Sequence, residues 1–209
     1  MEIKLNLPKS AYFNKFIPKS KFYEKAGINS KLQAEFVDKI QRITWKYKLA
    51  ESTINIAKTQ QVQEIQIFEV QLKVMYQPKQ ILKAIDKAIP YPILYILTYQ
   101  EMHAYAIAYN DDYIGNKYYF SDWDQEINFD FSGLDLEKVY QKIVRALLDY
   151  DDANQEVRQA INYDYEISNI QTRIDKLTLK LKREKQFNKK VQIQKELIEE
   201  EKKLTKLKG

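Results

Sequence analysis

From Ile167 onward the apolar residues recur at Ile167, Ile170, Ile174, Leu177 and Leu181, a three-four spacing set in a background of Lys and Glu. The pattern breaks at Gln186-Phe187-Asn188 and resumes as Ile193, Leu197, Leu204 and Leu207. A helix with so narrow an apolar stripe cannot bury enough of itself alone, so it needs a second helix against it. That second helix is either its own return segment or another chain. Residues 153–209 therefore read as a C-terminal helical hairpin or coiled coil. Its seam, and its expected association surface, is Ile170, Ile174, Leu177, Leu181, Leu197 and Leu204.

The rest of the chain carries enough apolar material for a core. Hydrophobic residues make up 44% of the 209, and Gly (4) and Pro (5) are too scarce for a loop-rich or disordered protein. There is no Cys, which excludes a disulfide framework and any thiolate metal site. No run approaches the length of a membrane span, and the N-terminus lacks a signal pattern, so the expectation is a soluble cytoplasmic protein.

Element order follows from periodicity. Residues 1–29 read as an irregular basic arm with aromatics between its lysines, packed on a body domain of residues 30–152. A helix is expected from Ser30 as N-cap, with Leu32, Phe36, Val37, Ile40, Ile43 and Tyr47 on one face. A short strand is expected at 52–57, and an alternating strand at 64–74 with a bulge near Phe68–Glu69. Pro78 opens a short helix that ends at Pro90-Tyr91-Pro92. Ile93-Leu94-Tyr95-Ile96-Leu97 suits a strand buried on both faces. Gln100-Glu101 reads as a hairpin turn, with strands at 102–109 and 117–123, and Leu134–Asp149 as an amphipathic helix before a boundary at 149–152. The expected fold is α/β (α+β): a mixed sheet of about five strands with flanking helices, plus the C-terminal helices.

Five stretches together resemble a known family: IPKSKFYEK (17–25), TWKYKLAESTINI (44–56), IDKAIPYPILYILTY (85–99), YYFSDW (118–123) and KREKQFNKKVQIQKEL (182–197). In this order they are similar to the bacterial family catalogued as domain of unknown function 4391. The resemblance supplies no activity and no catalytic residues. It implies an accessory role in handling or defending against foreign DNA, beside a restriction-modification methyltransferase or a helicase as partner.

Charge is distributed unevenly along the chain. Counted from the sequence, residues 1–50 carry a net +7, residues 111–160 a net −7 and residues 161–209 a net +5, within an overall +5. A basic arm, an acidic stretch and a basic tail offer separate surfaces to separate partners. Lys15, Lys19 and Lys21 in the arm, and Lys182, Arg183, Lys185, Lys189 and Lys190 in the tail, are the residues expected to meet nucleic-acid phosphates. Aromatics of the arm are suited to unpaired bases.

Enzymatic chemistry has fewer footholds. No Gly-rich phosphate loop and no nucleophile elbow is present. His103 is the sole histidine and cannot build a zinc site without further ligands. Asp111, Asp112, Asp122, Asp124, Glu126 and Asp130 lack the spacing of a calcium loop and read as a solvated or docking surface. Glu69, Gln71 and Lys73 share one side of a strand by period two, with Glu35, Asp38 and Glu64 as additional carboxylates. That set suggests a divergent nuclease of the restriction-endonuclease-like type using Mg²⁺ or Mn²⁺. The first reading is a non-enzymatic, cofactor-free adaptor subunit of a DNA-handling assembly, joined through its C-terminal helices. The alternatives are that nuclease and a stand-alone nucleic-acid-binding protein.

Overall fold

The computed structural model describes residues 5–111, 115–148 and 157–208. The chain forms two compact units, Met1–Asp151 and Asp152–Gly209.

The first unit is built on a six-stranded sheet in sequential order: β1 (Tyr12–Phe16), β2 (Ile40–Leu49), β3 (Ile65–Leu72), β4 (Ile93–Tyr99), β5 (Met102–Asp111) and β6 (Gly115–Phe120). All neighbouring pairs are antiparallel except β3 and β4, which run parallel and are joined through α4 (Lys79–Ala88). A parallel neighbour demands a crossover connection, and Pro78 at the N-cap and the Pro90-Tyr91-Pro92 exit frame a helix of ten residues for it.

The strand pleat sorts side chains onto two faces. On one face Phe68, Val70 and Leu72 of β3 join Ile93, Tyr95 and Leu97 of β4 and Ala104 and Ala106 of β5. Helices α1 (Ser20–Ala26), α2 (Ser30–Lys39) and α4 close this face with Phe22, Phe36, Ile81, Leu82 and Ile85, all buried. On the other face Ile65, Ile67, Leu94, Ile96 and Ile107 are fully buried. Helix α5 (Leu136–Ala146) belongs to this side: Tyr140 stacks on Tyr109 and donates a hydrogen bond of 2.6 Å to the Ala108 carbonyl. Asp135 caps α5 by accepting from the Lys138 amide.

Several local expectations are corrected. The helix opened by Asn29, not Ser30, ends at Lys39, and β2 begins at once with Ile40. Ile43 and Tyr47 therefore lie on a strand. Two register shifts in β2, between Ile40 and Arg42 and between Trp45 and Tyr47, interrupt its alternation, and they take the place of the bulge expected in β3. The segment 52–57 is a short helix, α3 (Glu51–Ile54), followed by an isolated bridge from Ala57 to Asp135. The arm is ordered secondary structure: a 3-10 turn at Lys9–Ala11, then β1 and α1. The boundary expected at 149–152 lies outside the described residues.

The second unit is α6 (Val157–Arg183) and α7 (Phe187–Lys208), which pack on one another. Ile170 and Ile174 of α6 and Leu197 of α7 form a buried cluster, with Leu177, Leu181, Leu204 and Leu207 against it. The seam residues thus find their partner within the chain. Arg173 and Lys203 both approach Glu200, at 3.8 and 2.6 Å, beside that seam.

One buried group opposes folding at neutral pH. The Asp86 carboxylate on α4 accepts hydrogen bonds from the Tyr95 hydroxyl at 2.5 Å and from the Tyr118 hydroxyl. Burial pushes its pKa up to about 6, against the two tyrosine hydrogen bonds, which pull it down. The native state therefore holds this proton more tightly than the unfolded chain. Its contribution is complete below about pH 4 and is lost as pH rises through about 6. Asp86→Asn is expected to stabilise the protein by about 1–3 kcal/mol at about pH 8 and to do little at about pH 4, read by urea unfolding. An equal effect at both pH values would show that burial does not hold the carboxylate neutral.

The hairpin generates a second test. Ile174→Asp places a charge in the seam and should cost about 3–5 kcal/mol of hairpin stability. The expected result is loss of helical circular dichroism and new protease cleavage within 157–208. Both tryptophans, Trp45 and Trp123, lie in the first unit, so their emission should stay unchanged. Retained helicity and protease resistance would mean that the two helices do not depend on this seam.

Candidate nucleic-acid interface

Two surfaces gather the polar and cationic groups, one on each unit. The first is the hairpin turn. Helix α6 ends at Arg183 and α7 starts at Phe187, so three residues, Glu184-Lys185-Gln186, make the reversal. Glu184 shapes it: its Oε1 accepts the backbone N–H groups of Lys185 at 2.8 Å and Gln186 at 2.9 Å. The hydrogen bond from Gln186 is the largest cause holding this carboxylate below the usual glutamate range, and the nearby Lys189 and Lys180 charges add to it. Around it stand Lys180, Lys182, Arg183, Lys185, Lys189 and Lys190, none in an ion pair among the described residues. Phe187 projects at the apex, 77% exposed. The structure thus brings together all five tail cations singled out from the sequence. Those of the arm belong to the other unit.

The arm lysines do different things. The Lys19 ammonium donates to the Ile40 carbonyl at 2.5 Å, tying the start of α1 to β2. Desolvation, and then the Lys73 charge, lower its pKa. Lys19 is a structural tie and not a free phosphate ligand. Lys15 lies over the Phe13 ring. No interaction involves the Lys21 side chain among the described residues.

The second surface is the half of the sheet lying ahead of the apolar residues under α5. Thr44 pairs with Glu69, which pairs with Ile96; Arg42 pairs with Gln71, Gln71 with Thr98, and Thr98 with His103. Residues paired across strands share a face, so Arg42, Gln71, Thr98 and His103 form one polar row across four strands. The row lies at the C-terminal ends of the two parallel strands, where sheets of this kind tend to bind ligands. Behind it, Lys46 follows Thr44 and Trp45 in ordinary alternation onto this side, is only 7% exposed, and lies 3.5 Å from Glu69. The Arg42 Nε donates to Thr44 Oγ1, and its guanidinium lies over the Phe16 ring of β1. At the far end His103 Nδ1 is 3.4 Å from Asp124, whose carboxylate accepts the His103 backbone N–H.

The sequence-derived nuclease set is only partly assembled. Glu69 and Gln71 share this face, but Lys73 lies past the end of β3, and its ammonium donates to the Val37 carbonyl of α2 at 2.7 Å. Its backbone N–H bonds the Lys39 carbonyl, so α2 draws the residue away from the strand's alternation. Glu35 acts on the Tyr76 hydroxyl and lies on α2, and Glu64 is held by Lys48 at 2.6 Å. No group of three or more His, Asp or Glu is placed to hold a metal ion among the described residues. Of the acidic stretch, Asp130 is bound to Lys142 and Ser132, Asp124 to His103, and Asp112 lies outside the described residues. Arg42 and Thr98 were not among the sequence candidates, and Phe16 was one only as an aromatic of the arm. Only the strand register, which a single sequence does not print, places them beside Gln71.

Among the described residues no helix is long and apolar enough to cross a membrane. No curated protein and no solved structure matches the chain. Residues 5–204, nearly the whole length, match the family described as Domain of unknown function (DUF4391), and the chain belongs to that family.

Proposed function

We propose that the protein is a nucleic-acid-binding accessory subunit that meets the phosphate backbone with the turn of its C-terminal hairpin. The observation that carries this reading is the way the hairpin divides its residues. Its apolar seam is consumed by the pairing of α6 with α7. What the turn offers outward is six unpaired cations around one exposed phenylalanine. Closely grouped Lys and Arg gain by displacing counterions from nucleic acid, and this binding is sequence-independent. Along the hairpin, by contrast, Arg173 and Lys203 are both engaged by Glu200. An assembly with a DNA-processing partner such as a helicase or methyltransferase fits a subunit of this kind.

The test is DNA binding at several salt concentrations, comparing the protein with a variant in which Lys182, Arg183, Lys185, Lys189 and Lys190 are all changed to Glu. Affinity should fall by at least about tenfold at low salt, and the slope of log K against log salt should shrink by roughly 2–4. Circular dichroism should be unchanged, because these side chains lie outside the seam. Equal affinity and slope in the two proteins would remove the turn from any nucleic-acid contact.

A further inference from the structure

We infer that the rim of the sheet running from β1 past Arg42 to the C-terminal ends of β3 and β4 is a stacking platform for unpaired nucleotides. This is a second site, on the other unit, and it does not require the hairpin turn to bind. Phe16 and Tyr12 both belong to β1, which is the edge strand, and both point to the face that carries the polar row. Their partners across β2, Thr44 and Tyr47, fix that orientation. Phe16 is 57% exposed and Tyr12 is 42% exposed, an unusual allowance for aromatic rings on a sheet. An alternating strand normally puts such rings into the core and polar residues into water. Here the reverse holds at one end of the sheet.

Each aromatic is paired with a cation. The Arg42 guanidinium lies 5.5 Å from the centre of the Phe16 ring, and the Lys46 ammonium 5.9 Å from that of Tyr12. A base can lie on the ring or on the guanidinium plane, and Arg42 can neutralise the phosphate that follows it. Beside them Gln71 and Thr98 are half-buried, and neither side chain forms a hydrogen bond among the described residues. Gln71 offers a carbonyl and an amide, and Thr98 a hydroxyl, which match the mixed donors and acceptors of an exposed base edge. From Phe16 on β1, one pair back from the polar row, to Thr98 on β4 the face crosses three strand spacings, roughly 14 Å, room for two or three bases.

The net charge of the face selects the ligand further. Glu69 offsets Lys46. The face is therefore close to neutral apart from Arg42, and too weakly charged to hold a duplex through its phosphates alone. Stacking must supply the affinity, which requires bases that are already unpaired.

The experiment compares fluorescently labelled single strands, oligo-dT, oligo-U and an abasic strand of equal length, with a fully paired duplex as control. Binding is measured for the intact protein, Phe16→Ala, Phe16→Trp and Gln71→Ala, each checked by thermal melting, and again in the background of the five-fold turn variant. Phe16→Ala should weaken oligo-dT and oligo-U binding by about tenfold or more and leave the abasic strand unaffected, because one stacking contact is removed. Phe16→Trp should retain or tighten binding. Gln71→Ala should weaken it several-fold. The same differences should persist in the turn variant, even where total affinity has dropped. A preference for one sugar would identify RNA or DNA as the source of the strand. If Phe16→Ala binds normal and abasic strands with the intact protein's affinities, the platform is overturned. If the differences vanish only when the turn is altered, the turn and not the sheet is the binding site, and the platform is likewise overturned.

Discussion

The parallel pairing of β3 with β4 is the constraint on which the rest of the first unit depends. Among the described residues it is the only parallel contact in the sheet, so it requires a helix to cross from one strand's end to the next strand's start. That helix, α4, covers one face with Ile81, Leu82 and Ile85. On the opposite face α5 has room to pack. Because both central strands run the same way, their C-terminal ends fall side by side, and there the apolar residues give way to Gln71 and Thr98. The polar row is thus a product of topology. An antiparallel pairing of the same two strands would put the end of one beside the start of the other and scatter these groups.

Much of this architecture is legible in the sequence because its signals are local. The run from Ile93 to Leu97 is apolar without alternation, and it is the strand flanked on both sides and buried on both faces. Pro78 and the Pro90-Tyr91-Pro92 segment bracket α4 within a residue or two. The break in the tail marks the hairpin turn closely, because Glu184 can satisfy two backbone amides where the helix must stop. Whether the seam would meet its own return helix or another chain was open at the sequence level. Antiparallel packing of α6 on α7 depends on a turn of only three residues, and the sequence permits it without requiring it.

Where the sequence misleads, the cause is a disturbed period. The shift between Ile40 and Arg42 puts Ile40 and Ile43 on one face three residues apart, and the shift between Trp45 and Tyr47 turns Tyr47 to the other face, so the apolar residues of β2 do not recur at two. A strand with two bulges imitates a helical face, and α2 seems to run on through Tyr47 when it ends at Lys39. The short β1 escapes notice for a different reason. Its burial does not alternate, since it is an edge strand with exposed aromatics, and Asn14 within it adopts a positive φ of 49°. Period two predicts Glu69 and Gln71 on one face correctly and fails at Lys73. Past the strand's last residue, the hydrogen bonds of Lys73 to Val37 and Lys39 override the alternation.

The same bulges that hide β2 also build the site. The shift between Ile40 and Arg42 turns Arg42 to the side of Gln71 and Thr44, and the shift between Trp45 and Tyr47 turns Tyr47 to that side beside Lys46, which strict alternation already places there. The Lys46 ammonium lies 3.5 Å from Glu69. Burying a lysine to 7% exposure costs free energy unless a partner compensates, and the carboxylate a strand away does so. That ion pair removes one positive and one negative charge from the face. Arg42 is left as its main cation, resting on the exposed ring of Phe16. The two units thus present unlike surfaces. One holds many cations and a single aromatic at a tight turn, suited to phosphates. The other holds aromatics and amide groups with little net charge, suited to bases. A nucleic-acid strand with its bases paired can satisfy the first but not the second, so selectivity for unpaired nucleotides would rest on the sheet alone.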